Sequence, residues 1–286
     1  MDNPQIFDPA LRRLRRDRAA PGFDDHAFLI DRIIEGLLDR LDMVTRPFRN
    51  VLEIGGWDGR LTRQLQARGL GVTPLEAGPR FAAATGALLG EEDRPAVAER
   101  SVDLVISAGV LDQVSDLPGA LALARRALRP DGLFLAAFAG AGSLPQLRRA
   151  LMVADIAAGQ GVAARLHPQI DVRSAGDLLV RAGFALPVAD SEPIDVGYAD
   201  PLKLMRDLRG MAWTSMLAAP HPPPLTRGRL AALIESFSEG ADADGRVRER
   251  FEIVYLTGWA PSADQPKPAR RGSATASLAA ALKPRD

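Results

Sequence analysis

Four short apolar runs, VLEI (51–54), GVTPLE (71–76), SVDLVIS (101–107) and GLFLAAF (132–138), constrain this chain more than any other feature. Between the first two lies DGRLTRQLQARGL, with Leu61 and Leu65 on one helical face and Gly69 placed to end it. Between the last two lie LPGALALARRAL and the turn RPDG (129–132). Strands joined through helices need crossover connections, so the pattern predicts an α/β fold with an open, mostly parallel sheet and helices on both faces. Pro74 lacks an N–H and pushes the second run toward an edge or irregular strand.

Upstream, Phe28-Leu29, Ile33-Ile34, Leu37-Leu38 and Leu41 recur at helical spacing behind the candidate caps Asp24 and Asp25. Before them, IFDPALRRLRRDRAAPGF carries five arginines between Arg12 and Arg18 and breaks at Pro21-Gly22. Residues 1–23 are therefore predicted as a basic N-terminal arm, solvated or docked on an acidic partner or membrane surface, whose removal spares the core. Downstream come two helical patterns, SLPQLRRALMVADIAA and SAGDLLVRAGF, a β stretch ALPVAD, a helical segment over 201–236, and a last strand in RFEIVYLTGWAP. The expected main domain is 24–260, with a helical cap insertion at about 191–246. The tail 261–286, rich in proline, alanine and charge, is expected to be disordered.

Composition removes several functions. With 286 residues, 47% of them hydrophobic, the chain can bury a sizeable core. Its 36 basic and 36 acidic residues leave no net charge, so nothing global points to nucleic acid. The absence of cysteine excludes thiolate nucleophiles and disulfides. Three histidines, His26, His167 and His221, form no H-x-D/E pair, and no metal site is expected. The longest apolar run, LFLAAFAGAG (133–142), falls short of the ~20 residues that cross a bilayer. These features predict a cytoplasmic protein whose membrane contact, if any, is peripheral and at the inner face.

In an open parallel sheet the ligand lies beyond the carboxyl ends of the strands, where their order reverses. The loop in NVLEIGGWDGR (50–60) is placed there, and Gly55, Gly56 and Gly59 allow close backbone approach. Glu76, ending the second run, is positioned to accept from both hydroxyls of a ribose. Neither G-x-G-x-x-G nor a P-loop is present, which favours a smaller nucleoside such as S-adenosylmethionine over a dinucleotide. The competing reading of the loop is a tight structural turn. Trp57 sits where such a loop accepts bulk least, and its indole must either fill the pocket or turn out of it. Methyl transfer from a sulfonium needs mainly proximity and orientation, so no catalytic residue is fixed by the chemistry. Asp112, after SVDLVIS, is the candidate base, or else belongs to the cap of the following helix. Trp213 and Trp259 read as packing residues, and His167 as a loop closer.

VLEIGGWDG, SVDLVISAGVLDQVSDLPGALALARRALRPDGLFLAAF and RAGF are similar to segments of class I S-adenosylmethionine-dependent methyltransferases. QIFDPALRRLRRDRAA, SLPQLRRAL, HPQIDVRSAGDLLVRAGF, LMRDLRGM, FEIVYLTGWAP and RRGSATASL resemble the complex I assembly factor 5 family over nearly the whole chain. The resemblance implies a Rossmann-like methyltransferase fold with an antiparallel last strand, used in maturing respiratory NADH dehydrogenase with a complex I subunit as partner. In the mitochondrial branch it implies hydroxylation of an arginine on such a subunit. A more distant relative methylates a malonyl thioester.

Carried over by position, the implied cofactor set is Glu53, Gly55, Gly56, Gly59, Glu76, Glu91 and Ser107, with Trp57 standing where the family has a third glycine. Other positions depart together. The family's Leu-His-Trp is Leu111-Asp112-Gln113, its Gly-Gly-Asp-Thr-Leu is Gly140-Ala141-Gly142-Ser143-Leu144, and its Gly-Met-Gly segment reads Gly210-Met211-Ala212-Trp213. Only GALLG remains for a third strand. Two readings stay open: an S-adenosylmethionine-dependent enzyme acting on a protein or carrier-linked substrate, and a non-catalytic binding module with an altered cofactor pocket.

Overall fold

The computed structural model describes residues 5–266 except 96, 160, 219 and 220, so most of the predicted tail (267–286) lies outside the described residues. The chain opens with helix α1 (Pro9–Ala19), a 3-10 turn over Ala20–His26, and α2 (Phe28–Asp42). Then follow β1 (Asn50–Ile54), α3 (Arg60–Ala67), β2 (Gly71–Glu76), α4 (Pro79–Thr85), β3 (Leu88–Leu89) and β4 (Val102–Ala108). The second half contains α5 (Leu117–Ala127), β5 (Leu128–Ala139), α6 (Pro145–Ala157), α7 (Val172–Arg181), β6 (Ala185–Tyr198), α8 (Pro201–Gly210), α9 (Arg227–Ser238) and β7 (Val247–Trp259).

One seven-stranded sheet runs β3-β2-β1-β4-β5-β7-β6. The first five strands are parallel, β7 is antiparallel to β5, and β6 is antiparallel to β7. The central strands are buried on both faces, which is why VLEI and SVDLVIS read as continuous apolar runs instead of alternating ones. The strand order reverses on either side of β1, so the loops after β1 and β4 meet at the carboxyl edge of the sheet. Among the described residues, no helix is long and apolar enough to cross a membrane.

Several elements differ from their predicted form. Asp24 and Asp25 do not cap α2: Ala27 precedes it without a side-chain cap bond, and both aspartates belong to the 3-10 turn that folds Phe23 into the core. The segment 191–198 is strand and not cap, because β6 continues to Tyr198, paired along its length with β7. Of the expected insertion, α8 and α9 remain between β6 and β7. Residues 129–132, expected as a turn, lie within β5 as an irregularity: Asp131 takes a positive φ of 62° and the register to β4 shifts there. β3 is two residues long, paired with Leu75 and Glu76.

The largest correction concerns the basic arm. α1 is part of the core: Phe7, Arg12, Arg16, Ala19 and Phe23 are all buried. Arg12, Arg16, Ala19 and Phe23 follow one another about a turn apart, a buried stripe in which arginines hold two apolar positions. Burying two guanidinium groups is tolerable only with carboxylate partners, and the site supplies them.

Candidate functional site

The loop after β1 turns its own backbone inward. Gly55 N–H and Gly56 N–H both donate to Leu75 O, at 2.9 and 3.1 Å, and Gly59 N–H donates to Gly56 O at 2.8 Å. Gly55 sits at φ 88°, and a Cβ there would meet Val110 Cγ1 at 2.6 Å, so a glycine is required by both conformation and space. Gly59 also takes a left-handed φ, 79°, immediately before α3. These glycines shape a tight turn whose N–H groups bond to the protein.

Trp57 lies inside. Its residue is 1% exposed and its backbone φ is 46°, a conformation that costs a bulky residue energy and is held here by surrounding contacts. The indole Nε1–H donates to Ala108 O at 2.7 Å. One ring face stacks on Phe23 with centroids 5.1 Å apart, Phe81 meets it edge-on, and the Arg16 guanidinium lies 3.7 Å from the ring centroid.

Glu76, the expected ribose carboxylate, is fully buried and fully engaged. Arg16 Nε donates to Oε1 and Arg16 Nη2 to Oε2, each at 2.6 Å. Trp57 N–H also donates to Oε2 at 2.9 Å, and Gly78 N–H to Oε1 at 2.6 Å. Four donors fill the roughly four lone-pair sites of a carboxylate. Beside it, Arg12 pairs bidentately with buried Glu92 and also reaches Glu91 at 3.2 Å, where Arg13 Nε donates to the other oxygen at 2.7 Å.

The remaining expected residues are placed as follows. Glu53 is buried beneath the loop; the Thr62 hydroxyl donates to Oε2, and Oε1 has no partner among the described residues. Burial pushes the Glu53 carboxyl up to about 8, with further upward pressure from Glu76, so it is largely neutral at pH 7. Gly56 packs against Pro74, where an added Cβ would meet the ring at 3.3 Å. Ser107 is buried, and its hydroxyl has no partner among the described residues. Asp112 lies on a short 3-10 turn and does not cap α5, a role taken by Asp116, which accepts from Gly119 N–H. Burial pushes the Asp112 carboxyl up to about 7, and its Oδ1 has no partner among the described residues.

Asp112, Gln113, His167 and Trp213 surround a small cavity of about 30 Å³. His167 Nε2 accepts from Met216 N–H at 2.7 Å and so closes a loop, while His26 Nδ1 lies 2.9 Å from Asp207 Oδ1. Trp213 packs over Gly109, and Trp259 is a paired residue of β7. Among the described residues, no group of three or more histidines and carboxylates is gathered that could hold a metal ion.

Sequence reasoning missed Arg12, Arg16, Phe23 and Glu92. The helical spacing of the first three was a usable signal, disguised by the arginine density of the arm. A cleft of about 670 Å³ opens beside the arm, bordered by Arg12, Arg13, Glu91, Glu92 and Gln113, but Gly55, Trp57 and Glu76 do not line it.

Strand order, antiparallel β7 and the glycine loop after β1 define a Rossmann-like class I methyltransferase fold, and the family described as Methyltransferase domain matches residues 23–186. The YcgJ protein of Bacillus subtilis has this fold, with a TM-score of 0.57 and 12% identity over 80% of this chain and 99% of that one. The chain is 30% identical to arginine-hydroxylase NDUFAF5, mitochondrial, of Danio rerio, over 96% of its own length and 88% of that protein. It is likewise 30% identical to malonyl-[acyl-carrier protein] O-methyltransferase of Xylella fastidiosa, over 91% and 90%. The chain belongs to the NDUFAF5 family of methyltransferase-domain proteins.

S-adenosylmethionine is the cofactor of this methyltransferase class. The residues of this chain, as arranged, do not fit it: the carboxylate that would accept ribose hydroxyls is filled by Arg16 and the N–H groups of Trp57 and Gly78, and an indole fills the space over the loop.

Proposed function

We propose that the chain is an assembly factor for respiratory NADH dehydrogenase that holds a protein subunit in the cytoplasm and transfers no methyl group. The observation that carries this reading is the Arg16–Glu76 pair, because it removes the one carboxylate placed to orient the nucleoside of the cofactor. The resemblance to the Danio rerio arginine hydroxylase supports the choice of partner, since it extends through the arm and cap as well as the methyltransferase domain. Gly55, Gly56, Gly59, Glu53 and Ser107 then serve the turn and core instead of a ligand. Glu91 serves by anchoring the arm.

A second reading has one observation in its favour. Asp112, on the turn beyond β4, keeps a buried carboxyl oxygen without a partner among the described residues, and a carboxyl poised near neutral pH suits proton transfer to a side chain of the partner. In that reading the chain modifies its partner, as the name of the Danio rerio relative describes.

Two measurements test the proposal together. Deleting the gene should lower membrane NADH dehydrogenase activity, and the wild-type chain should restore it. Thermal melting of the purified chain should not respond to S-adenosylmethionine, whereas ligand at about 100 times its dissociation constant would stabilise a binder by roughly 2.7 kcal/mol. Unchanged dehydrogenase activity in the deletion strain would remove the assembly role. A clear thermal shift would remove the non-catalytic one.

A further inference from the structure

The arginines of α1 fall into two groups. Arg12, Arg13 and Arg16 are each paired with a carboxylate. Arg15 and Arg18, on the same helix, have no ion-pair partner among the described residues, and neither do Arg206 and Arg209 on the adjoining α8. Nearby acids are committed elsewhere: Asp17 accepts from Arg80 N–H, Asp207 meets His26, and Asp200 caps α8.

The unpaired cations are close enough to feel one another. Arg15 is held below its ordinary value, first by burial and then by the charges of Arg18 and Arg209. Its guanidinium is half-buried and donates to Thr214 Oγ1, so it is fixed in a recess instead of waving in solvent. Each helix adds an exposed leucine one turn before an exposed arginine, Leu14 before Arg18 and Leu202 before Arg206. A protein with no net charge has thus gathered arginines that ion-pair with none of the described residues, together with apolar surface, on the outer side of the helix whose inner side seals the pocket.

We propose that this face of α1 and α8 docks an acidic, amphipathic segment of a protein partner, with its carboxylates on Arg15, Arg18, Arg206 and Arg209 and its apolar side chains against Leu14 and Leu202. Guanidinium groups pair bidentately with carboxylates. The recessed Arg15 suits a protruding carboxylate better than a flat bilayer. The proposal depends on the assembly reading only for the partner's identity.

The test uses the full chain and the triple variant Arg18→Glu, Arg206→Glu, Arg209→Glu, none of which touches the loop site. Three labelled probes are compared by fluorescence anisotropy or flotation: overlapping peptides of the host's NADH dehydrogenase subunits, a designed acidic amphipathic peptide, and phosphatidylcholine vesicles containing cardiolipin. Acidic peptides should bind the wild type, weaken on addition of salt, and bind the triple variant at least about tenfold more weakly, while both proteins melt alike.

Binding unaffected by the triple variant or by salt, or no peptide binding at all, would overturn the proposal. Vesicle binding that depends on these arginines, without peptide binding, would assign the face to lipid and overturn it as well. If the designed peptide binds through the patch and no dehydrogenase peptide does, the docking face stands and the assembly reading falls.

Discussion

The Arg16 guanidinium lies 3.7 Å from the centroid of the Trp57 ring while its Nε and Nη2 clamp both oxygens of Glu76. A residue from the first helix and a residue from the glycine loop therefore occupy the same site, one through charge and the other through shape. Breaking this pair from one side leaves a buried charge without its partner. Glu76→Ala or Arg16→Ala should cost about 3–5 kcal/mol by urea denaturation, whereas Arg16→Met combined with Glu76→Gln should recover much of that loss. A cost below about 1 kcal/mol for either single change would mean that the pair is open to water in solution.

Deleting residues 1–19 should lower the melting temperature substantially, contrary to the behaviour of a solvated basic arm. The deletion uncovers Glu76 and Glu92, both buried carboxylates that α1 neutralises, and strips the contacts of Arg12, Arg16 and Ala19. Differential scanning calorimetry of the two proteins decides it, and coincident melting curves would place the arm outside the cooperative unit.

Trp57→Gly should destabilise the fold by roughly 3–5 kcal/mol, since it empties the space of a buried indole and removes the bond to Ala108 O. Relief of the positive φ returns only about 1–2 kcal/mol of that. In calorimetric titration the wild type should give no heat with S-adenosylmethionine. Trp57→Gly alone should give none either, because Arg16 still holds both oxygens of Glu76. Micromolar affinity in the wild type would show that α1 lifts readily.

The pH dependence of stability carries two opposed contributions. Glu53, raised by burial to about 8 from an ordinary carboxyl value near ~4.3, contributes stability that is complete below the lower value and lost as pH rises through the upper one. Over that window the slope approaches about 1.4 kcal/mol per pH unit. His167, lowered to about 4 chiefly by burial, contributes stability present above its ordinary value near ~6.5 and lost as pH falls through 4. Melting temperatures of the wild type and Glu53→Gln should run together below the ordinary carboxyl value, separate progressively as pH rises from there to about 8, and stay apart above it, with the variant higher. Parallel curves would mean that Glu53 is ionised in the folded protein.

The order of apolar runs and helical stretches was enough to define the α/β class, because a strand buried on both faces must be continuously apolar and a parallel neighbour must be reached through a crossover. Gly55 and Gly59 were legible as turn formers, and the steric question posed by Trp57 was visible in the loop itself. The sequence could not say which way the indole points. That depended on Phe23, Phe81 and Ala108, which lie 34, 24 and 51 residues away along the chain.

Nor could the sequence reveal the fate of α1. An arginine-rich helix reads as solvated because a lone guanidinium is costly to bury, and only tertiary structure brings Glu76 and Glu92 beneath Arg16 and Arg12 to offset that cost. Glu76 itself shows the division most plainly: its place at the end of β2 follows from local pattern, whereas its occupation by Arg16 is a contact across 60 residues that no local pattern encodes. Sequence determined which backbone would surround the site. Long-range charge pairing determined what fills it.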